Sequence, residues 1–238
     1  LLTLQLNKAY ATHIYGADLF YTHSSGNTYN ISLVIYGDCG GAALSNLYGA
    51  SPTVDIYNGS TYVTSISLTQ QGASVGVEVT PVCPSQLSNT NCVSTSGTVP
   101  GVKKFVYTGS YTLSTTSSNW RFRFDGVIGS GGGAGRSTSI TNIVSGTSGT
   151  IMALEATLNN NTANNSSPLY TTIPTPFFCA GIGANYNPGT VDPNGDSLSY
   201  SLVPGLLGGS GGTVTYLTGY SATAPLSCST GTFSFSAT

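Results

Sequence analysis

His13-Ile14-Tyr15-Gly16-Ala17-Asp18-Leu19-Phe20-Tyr21 and Tyr29-Asn30-Ile31-Ser32-Leu33-Val34-Ile35-Tyr36, parted by Ser24-Ser25-Gly26-Asn27, decide the fold. Apolar residues recur at every second position, and β-branched and aromatic residues dominate, which is the period of a half-buried strand. The intervening Ser, Gly and Asn supply turn conformations, so the two runs predict an antiparallel hairpin.

Outward from this hairpin the same alternation predicts strands at Thr53–Tyr57 and Thr61–Leu68, joined by Asn58-Gly59-Ser60. Further strands are expected at Ser74–Val79, Val102–Tyr107, Asn119–Phe124, Thr138–Val144 and Ile151–Leu158. Turn formers interrupt the pattern about every eight to twelve residues, the spacing of an all-β sandwich. The polar run Asn159-Asn160-Asn161-Thr162-Ala163-Asn164-Asn165-Ser166-Ser167-Pro168 reads as an interdomain linker. The expected architecture is therefore all-β. An antiparallel Ig-like or jelly-roll-like β-sandwich spans residues 12–162, and a partial second β-sandwich, with strands near Thr190–Val191, Leu198–Leu202, Thr213–Tyr216 and Thr232–Ser236, spans 163–238. Residues 1–11, an apolar stretch closing on Ala9-Tyr10-Ala11, read as the remnant of a signal peptide and imply export.

Only 6% of the 238 residues are charged, against about 25% in ordinary soluble proteins. Six basic residues against eight acidic ones leave no means of neutralising a phosphate backbone, so nucleic acid is not an expected partner. No apolar run reaches the roughly 20 residues of a membrane-spanning helix. The surface is neutral and rich in hydroxyl and amide groups.

Five cysteines without zinc spacing fit an oxidising compartment. Cys83 and Cys92 flank a short, turn-rich loop and are the expected bridge; Cys179 and Cys228 form an expected second one. Cys39 is then left over, or pairs with chain outside this sequence.

Asp192-Pro193-Asn194-Gly195-Asp196 sets oxygen-bearing side chains at alternate positions around a glycine. Such hard oxygens suit Ca²⁺, with further ligands expected from Asn164 or Asn165, Glu155, or backbone carbonyls; a plain turn uses the same residue types. An EF-hand is excluded, because Val203 stands where position 12 requires Glu. Catalytic constellations are not expected. The two histidines, His13 and His23, belong to the first hairpin, and Asp125 with Glu155 gives no reason to expect a glycosidase pair. The glycine-rich run Gly129–Arg136 lacks the ending of a phosphate loop. Trp120 reads as a core anchor beside a solvent-facing basic stripe of Arg121 and Arg123. Fifteen tyrosines raise a sugar-binding platform, although most lie in strand patterns where packing is the ordinary role.

Four runs carry a resemblance: Thr12-His13-Ile14-Tyr15-Gly16-Ala17-Asp18-Leu19; Leu33-Val34-Ile35-Tyr36-Gly37-Asp38-Cys39; Ser166-Ser167-Pro168-Leu169-Tyr170; and Val191-Asp192-Pro193-Asn194-Gly195-Asp196-Ser197-Leu198-Ser199-Tyr200-Ser201-Leu202. In this order they resemble the amino-terminal region of large Bacteroidota surface proteins that carry gliding-motility-associated sorting domains. The resemblance implies type IX secretion, outer-surface attachment, and adhesion or gliding through a stalk of Ig-, cadherin- or PKD-like repeats. Residues 164–202 also resemble a cadherin-like module, which implies that Asp192, Asn194 and Asp196, with Asn164 or Asn165, hold calcium. Relatives carry adjacent cysteines and an Arg-Asn where this chain has Phe124-Asp125-Gly126-Val127.

The expected function is a non-enzymatic structural and adhesive module of the cell surface, facing glycans or other surface proteins. The alternatives are a subunit of an extracellular, self-associating filament and a carbohydrate-binding accessory region of a secreted enzyme.

Overall fold

A computed structural model describes residues 14–41, 44–128, 132–133, 135, 142–144, 151–174, 184–209, 212–224 and 233–235. The expected signal-peptide remnant, His13, Cys179, Cys228 and most of the strand predicted at Thr138–Val144 lie outside them. Strands follow in the order β1 (Ile14–Ser25), β2 (Thr28–Asp38), β3 (Thr53–Asn58), β4 (Thr61–Ser67), β5 (Thr69–Gln71), β6 (Val77–Glu78), β7 (Val102–Thr112) and β8 (Trp120–Phe124). They continue as β9 (Val127–Ile128), β10 (Gly132–Gly133), β11 (Met152–Leu158), β12 (Leu169–Tyr170), β13 (Ala184–Tyr186), β14 (Thr190–Val191), β15 (Leu206–Leu207) and β16 (Phe233–Phe235).

The predicted hairpin forms as β1 and β2, paired antiparallel from Ile14↔Gly37 to Ser25↔Thr28. Its turn places Gly26 at φ 53°, a left-handed conformation that glycine enters without strain. Strand β7 then pairs with β2 along the whole of both strands, and β5 and β6 add to the far side of β7. A second antiparallel sheet runs β15-β11-β8-β3-β4.

The two sheets pack face to face as a β-sandwich, because the alternate residues of each are large and apolar. Tyr29, Ile31, Leu33 and Ile35 of β2, with Phe105 and Tyr107 of β7, meet Val54, Ile56, Trp120, Phe122 and Phe124 in one core. The Tyr21 ring lies 5.3 Å from that of Phe122, and its hydroxyl donates to the Thr157 carbonyl at 2.8 Å across the sandwich. Trp120 is 1% exposed, the core anchor its sequence context predicted.

Three predicted strands take a different course. The run Thr61–Leu68 ends its pairing with β3 at Ser67, Leu68 is fully buried, and β5 continues in the other sheet against β7. The chain thus crosses from one layer to the other at Leu68, as corner strands of sandwiches do. Leu198–Leu202 forms no strand, and Thr213–Tyr216 forms only isolated bridges, Thr213 with Leu206 and Tyr216 with Ile143.

Beyond the predicted boundary at 162/163 the chain continues to bond to the first sandwich. Ser167 exchanges hydrogen bonds with Tyr21, through its own N–H to the Tyr21 carbonyl at 2.9 Å and from the Tyr21 N–H to its Oγ at 2.9 Å. Strand β15 joins the edge of β11. Phe20, Val34, Tyr36, Val102, Val106 and Ile173 form a second apolar cluster, so the outer face of the β1-β2-β7 sheet is covered as well.

Candidate functional site

The Asp192–Asp196 segment is a self-closed turn directly after β14. The Gly195 N–H donates to the Asp192 carbonyl at 3.2 Å, with Gly195 at φ 79°. Asp192 Oδ1 accepts from the N–H groups of Asn194 at 2.8 Å and Asp196 at 3.1 Å. Asn194 Oδ1 accepts from the Ser166 N–H at 2.9 Å, and Ser166 Oγ accepts from the His23 N–H at 3.0 Å. The loop is therefore a clasp: it holds the linker, and the linker holds the edge of β1. Asn164 is exposed; Asn165 is half-buried, with its Oδ1 unpartnered among the described residues. No group of three or more His, Cys, Asp or Glu side chains arranged to hold a metal occurs among the described residues.

The expected Cys83–Cys92 bridge is corrected: Cys92 pairs with Cys39, Cα to Cα 4.8 Å, and Cys83 is exposed outside that bridge. Sheet register decides this over loop length. The pair Asp38↔Val102 brings the Cys39 N–H onto the Gly101 carbonyl at 3.0 Å. The Gly101 N–H in turn donates to Asn91 Oδ1 at 2.7 Å, which seats Cys92 beside it. A Cβ on Gly101 would overlap Cys92 Sγ, so the close approach requires glycine. Cys83 meanwhile precedes a 3₁₀ helix over Pro84–Asn89 that separates it from Cys92.

The expected basic stripe is corrected too. Arg123 has a side chain only 9% exposed and donates to Asp125 Oδ1 at 2.8 Å, with Glu155 at 3.7 Å. Arg121 pairs with Glu155 at 2.6 Å and lies over the Tyr57 ring, 5.3 Å from its centroid. Antiparallel register stacks Asp55, Arg123 and Glu155 across β3, β8 and β11, so cross-strand neighbours neutralise the arginines. Asp125 and Glu155 are thereby structural counter-ions.

A cleft of about 590 Å³ opens between β1 and the covering segment, lined by Asp18, Tyr170, Thr172, Ser199, Tyr200 and Leu202 among others. Ser199 to Leu202, from the run expected as a strand over Leu198–Leu202, line it instead, together with Val203. Tyr170 is 51% exposed and Tyr200 43%. Burial, the largest cause, pushes Asp18 up to about 6, while Lys104 pulls it down. The Tyr170 hydroxyl is raised by burial, then by Asp18 and Tyr200. An acid raised in the fold stabilises it fully below the unfolded value near 4 and loses that contribution as pH rises through about 6. Asp18→Asn is accordingly expected to melt above the natural chain at pH 7.5 and level with it near pH 4, by calorimetry at both pH values.

No protein-family profile, curated protein or solved structure matches this chain. The class that the fold itself defines is an all-β, antiparallel sandwich with a disulfide between Cys39 and Cys92. No helix among the described residues is long and apolar enough to cross a membrane.

Proposed function

We propose that the chain is a non-enzymatic, secreted structural and adhesive module of an outer cell surface, part of a longer Bacteroidota adhesin or stalk. One observation carries the reading: exposed Tyr170, Tyr200, Leu202 and Val203 gather beside one cleft on a nearly uncharged scaffold. Grouped exposed apolar side chains mark interaction surfaces. The disulfide fits an oxidising location. The clasp from Asn194 through Ser166 to β1 gives the module a route for transmitting pull from one part of the chain to another. A second reading, a subunit of an extracellular fibre, draws on β4, whose only ladder partner among the described residues is β3, leaving an edge that a neighbouring chain's strand would extend.

Calcium enters this reading as a ligand of the Asp192 and Asp196 carboxylates, completed by backbone oxygens and water, since Asp192 Oδ1 and Asn194 Oδ1 already accept from backbone N–H groups. Proteolysis of intact cells of the source organism, run in millimolar calcium and in chelator, tests both parts. Cleavage from outside is expected, with the Pro193-Asn194 turn cut faster in chelator. Protection until the cells are lysed overturns the surface placement, and equal cutting in both conditions removes calcium.

A further inference from the structure

We propose that the cleft between β1 and residues 170–174 and 188–203 binds one pyranose ring of a neutral glycan, with Tyr170 and Tyr200 covering its faces and Asp18 accepting from its hydroxyls. The inference rests on the surface-module reading and gives it a ligand and a site. The cleft volume, about 590 Å³, falls among small-molecule sites, which run from about 300 to 1,000 Å³.

The lining selects the ligand class. A pyranose has apolar C–H faces and a rim of hydroxyls. Tyrosine rings cover such faces while their hydroxyls stay wet. Asp18 is the acceptor: it lines the cleft, partly withdrawn from water, and Lys104 is the cation acting on it. Thr172, Ser199 and Ser201 add hydroxyls that both donate and accept around the rim. A carboxylate accepting from a sugar hydroxyl makes the stronger, charge-assisted kind of hydrogen bond.

Other ligand classes meet specific obstacles. An anion would face the Asp18 carboxylate, and a purely apolar ligand would cover that carboxylate without giving it a donor, which is costly. A protein side of ordinary flatness would not fill a concave site. The location also fits the fold. Asp18 lies opposite Val34 on the sheet face that carries the second apolar cluster, a face that also holds Lys104 opposite Tyr36, so an acid interrupts a largely apolar surface. Such a break in an apolar face is unfavourable to stability and is retained most readily where a ligand uses it.

The test is saturation-transfer NMR of the whole chain with neutral tetrasaccharides of glucose, mannose, galactose and xylose at millimolar concentration, followed by titration of the strongest. Transfer to ring C–H protons is expected for at least one of the four. Tyr200→Ala and Asp18→Asn are each expected to weaken it about tenfold, and Tyr200→Phe, which keeps the ring face, to preserve it. Thermal melts verify that the variants fold. Absence of transfer from all four sugars, or binding unchanged in both Tyr200→Ala and Asp18→Asn, overturns the proposal. If transfer is absent while intact cells still expose the chain to protease, the cleft fails and the surface reading stands; sugar binding by a chain shielded from protease reverses that outcome.

Discussion

Replacing Cys39 with Ser lowers the unfolding free energy by about 4 kcal/mol, the chain-entropy value for a loop of this length, because the bridge spans 53 residues. The loop it closes holds β3 to β6, so the reduced chain gains freedom over strands of both sheets. The fall in melting temperature should be about 10 °C for a chain of this size. Cys92→Ser should match it, and the double substitution should add little, since either change removes the same bond. Cys83→Ser is the control and should stay within about 0.5 kcal/mol, as an exposed side chain outside the bridge does. Denaturant melts of the four proteins decide the matter. A loss in Cys83→Ser with none in Cys39→Ser would return the bridge to the local loop.

That bridge also marks where sequence reading stops. The hairpin of β1 and β2 is legible because turn and alternation are adjacent in the chain. Cys39–Cys92 is not, because it depends on the β2–β7 pairing, whose register brings residue 38 against residue 102. One signal in the sequence does foretell more. Leu33-Val34-Ile35-Tyr36 breaks alternation into a continuous apolar run, the mark of a strand covered on both faces. Val34 and Tyr36 are indeed buried under the second cluster, opposite Leu33 and Ile35. The covering residues, Val79 and Ile173, are distant in the chain, so the run announces a cover without saying what supplies it. The turn at Asp192–Asp196 is legible in type from its residues, while its grip on Ser166 is a contact between remote segments. The setting of the arginines is illegible for the same reason, since alternation puts Arg121 and Arg123 on an outer face but does not show the acids that β3 and β11 bring alongside.

Arg123→Ala is expected to cost about 3 kcal/mol, the lower end for breaking a buried ion pair, since Asp125 and Glu155 retain side-chain exposures of 28% and 22%. Arg123 does more than neutralise. It donates to the Leu207 carbonyl at 3.0 Å, while Asp125 Oδ2 accepts from the Gly209 N–H at 2.7 Å. Both bonds reach from β8 and its end to β15 and the residues just after it, and the Gly208 N–H donates to the Ile151 carbonyl at 3.0 Å between them. Loss of the guanidinium therefore removes the support of β15 as well as the charge. Hydrogen exchange at Leu207, Gly208 and Gly209 should accelerate more than at β2. Arg121→Ala, by contrast, breaks an ion pair with an arginine side chain 33% exposed and should cost about 1 kcal/mol or less. The pair of variants also measures how the chain is divided. If the segment after residue 163 unfolds together with the first sandwich, Arg123→Ala shifts one melting transition intact. If the segment melts as its own unit, the substitution releases β15 early and splits the transition in two. A module that transmits pull through the Ser166 clasp and the β15 edge requires the single transition, because a load shared between them is held only while both remain docked.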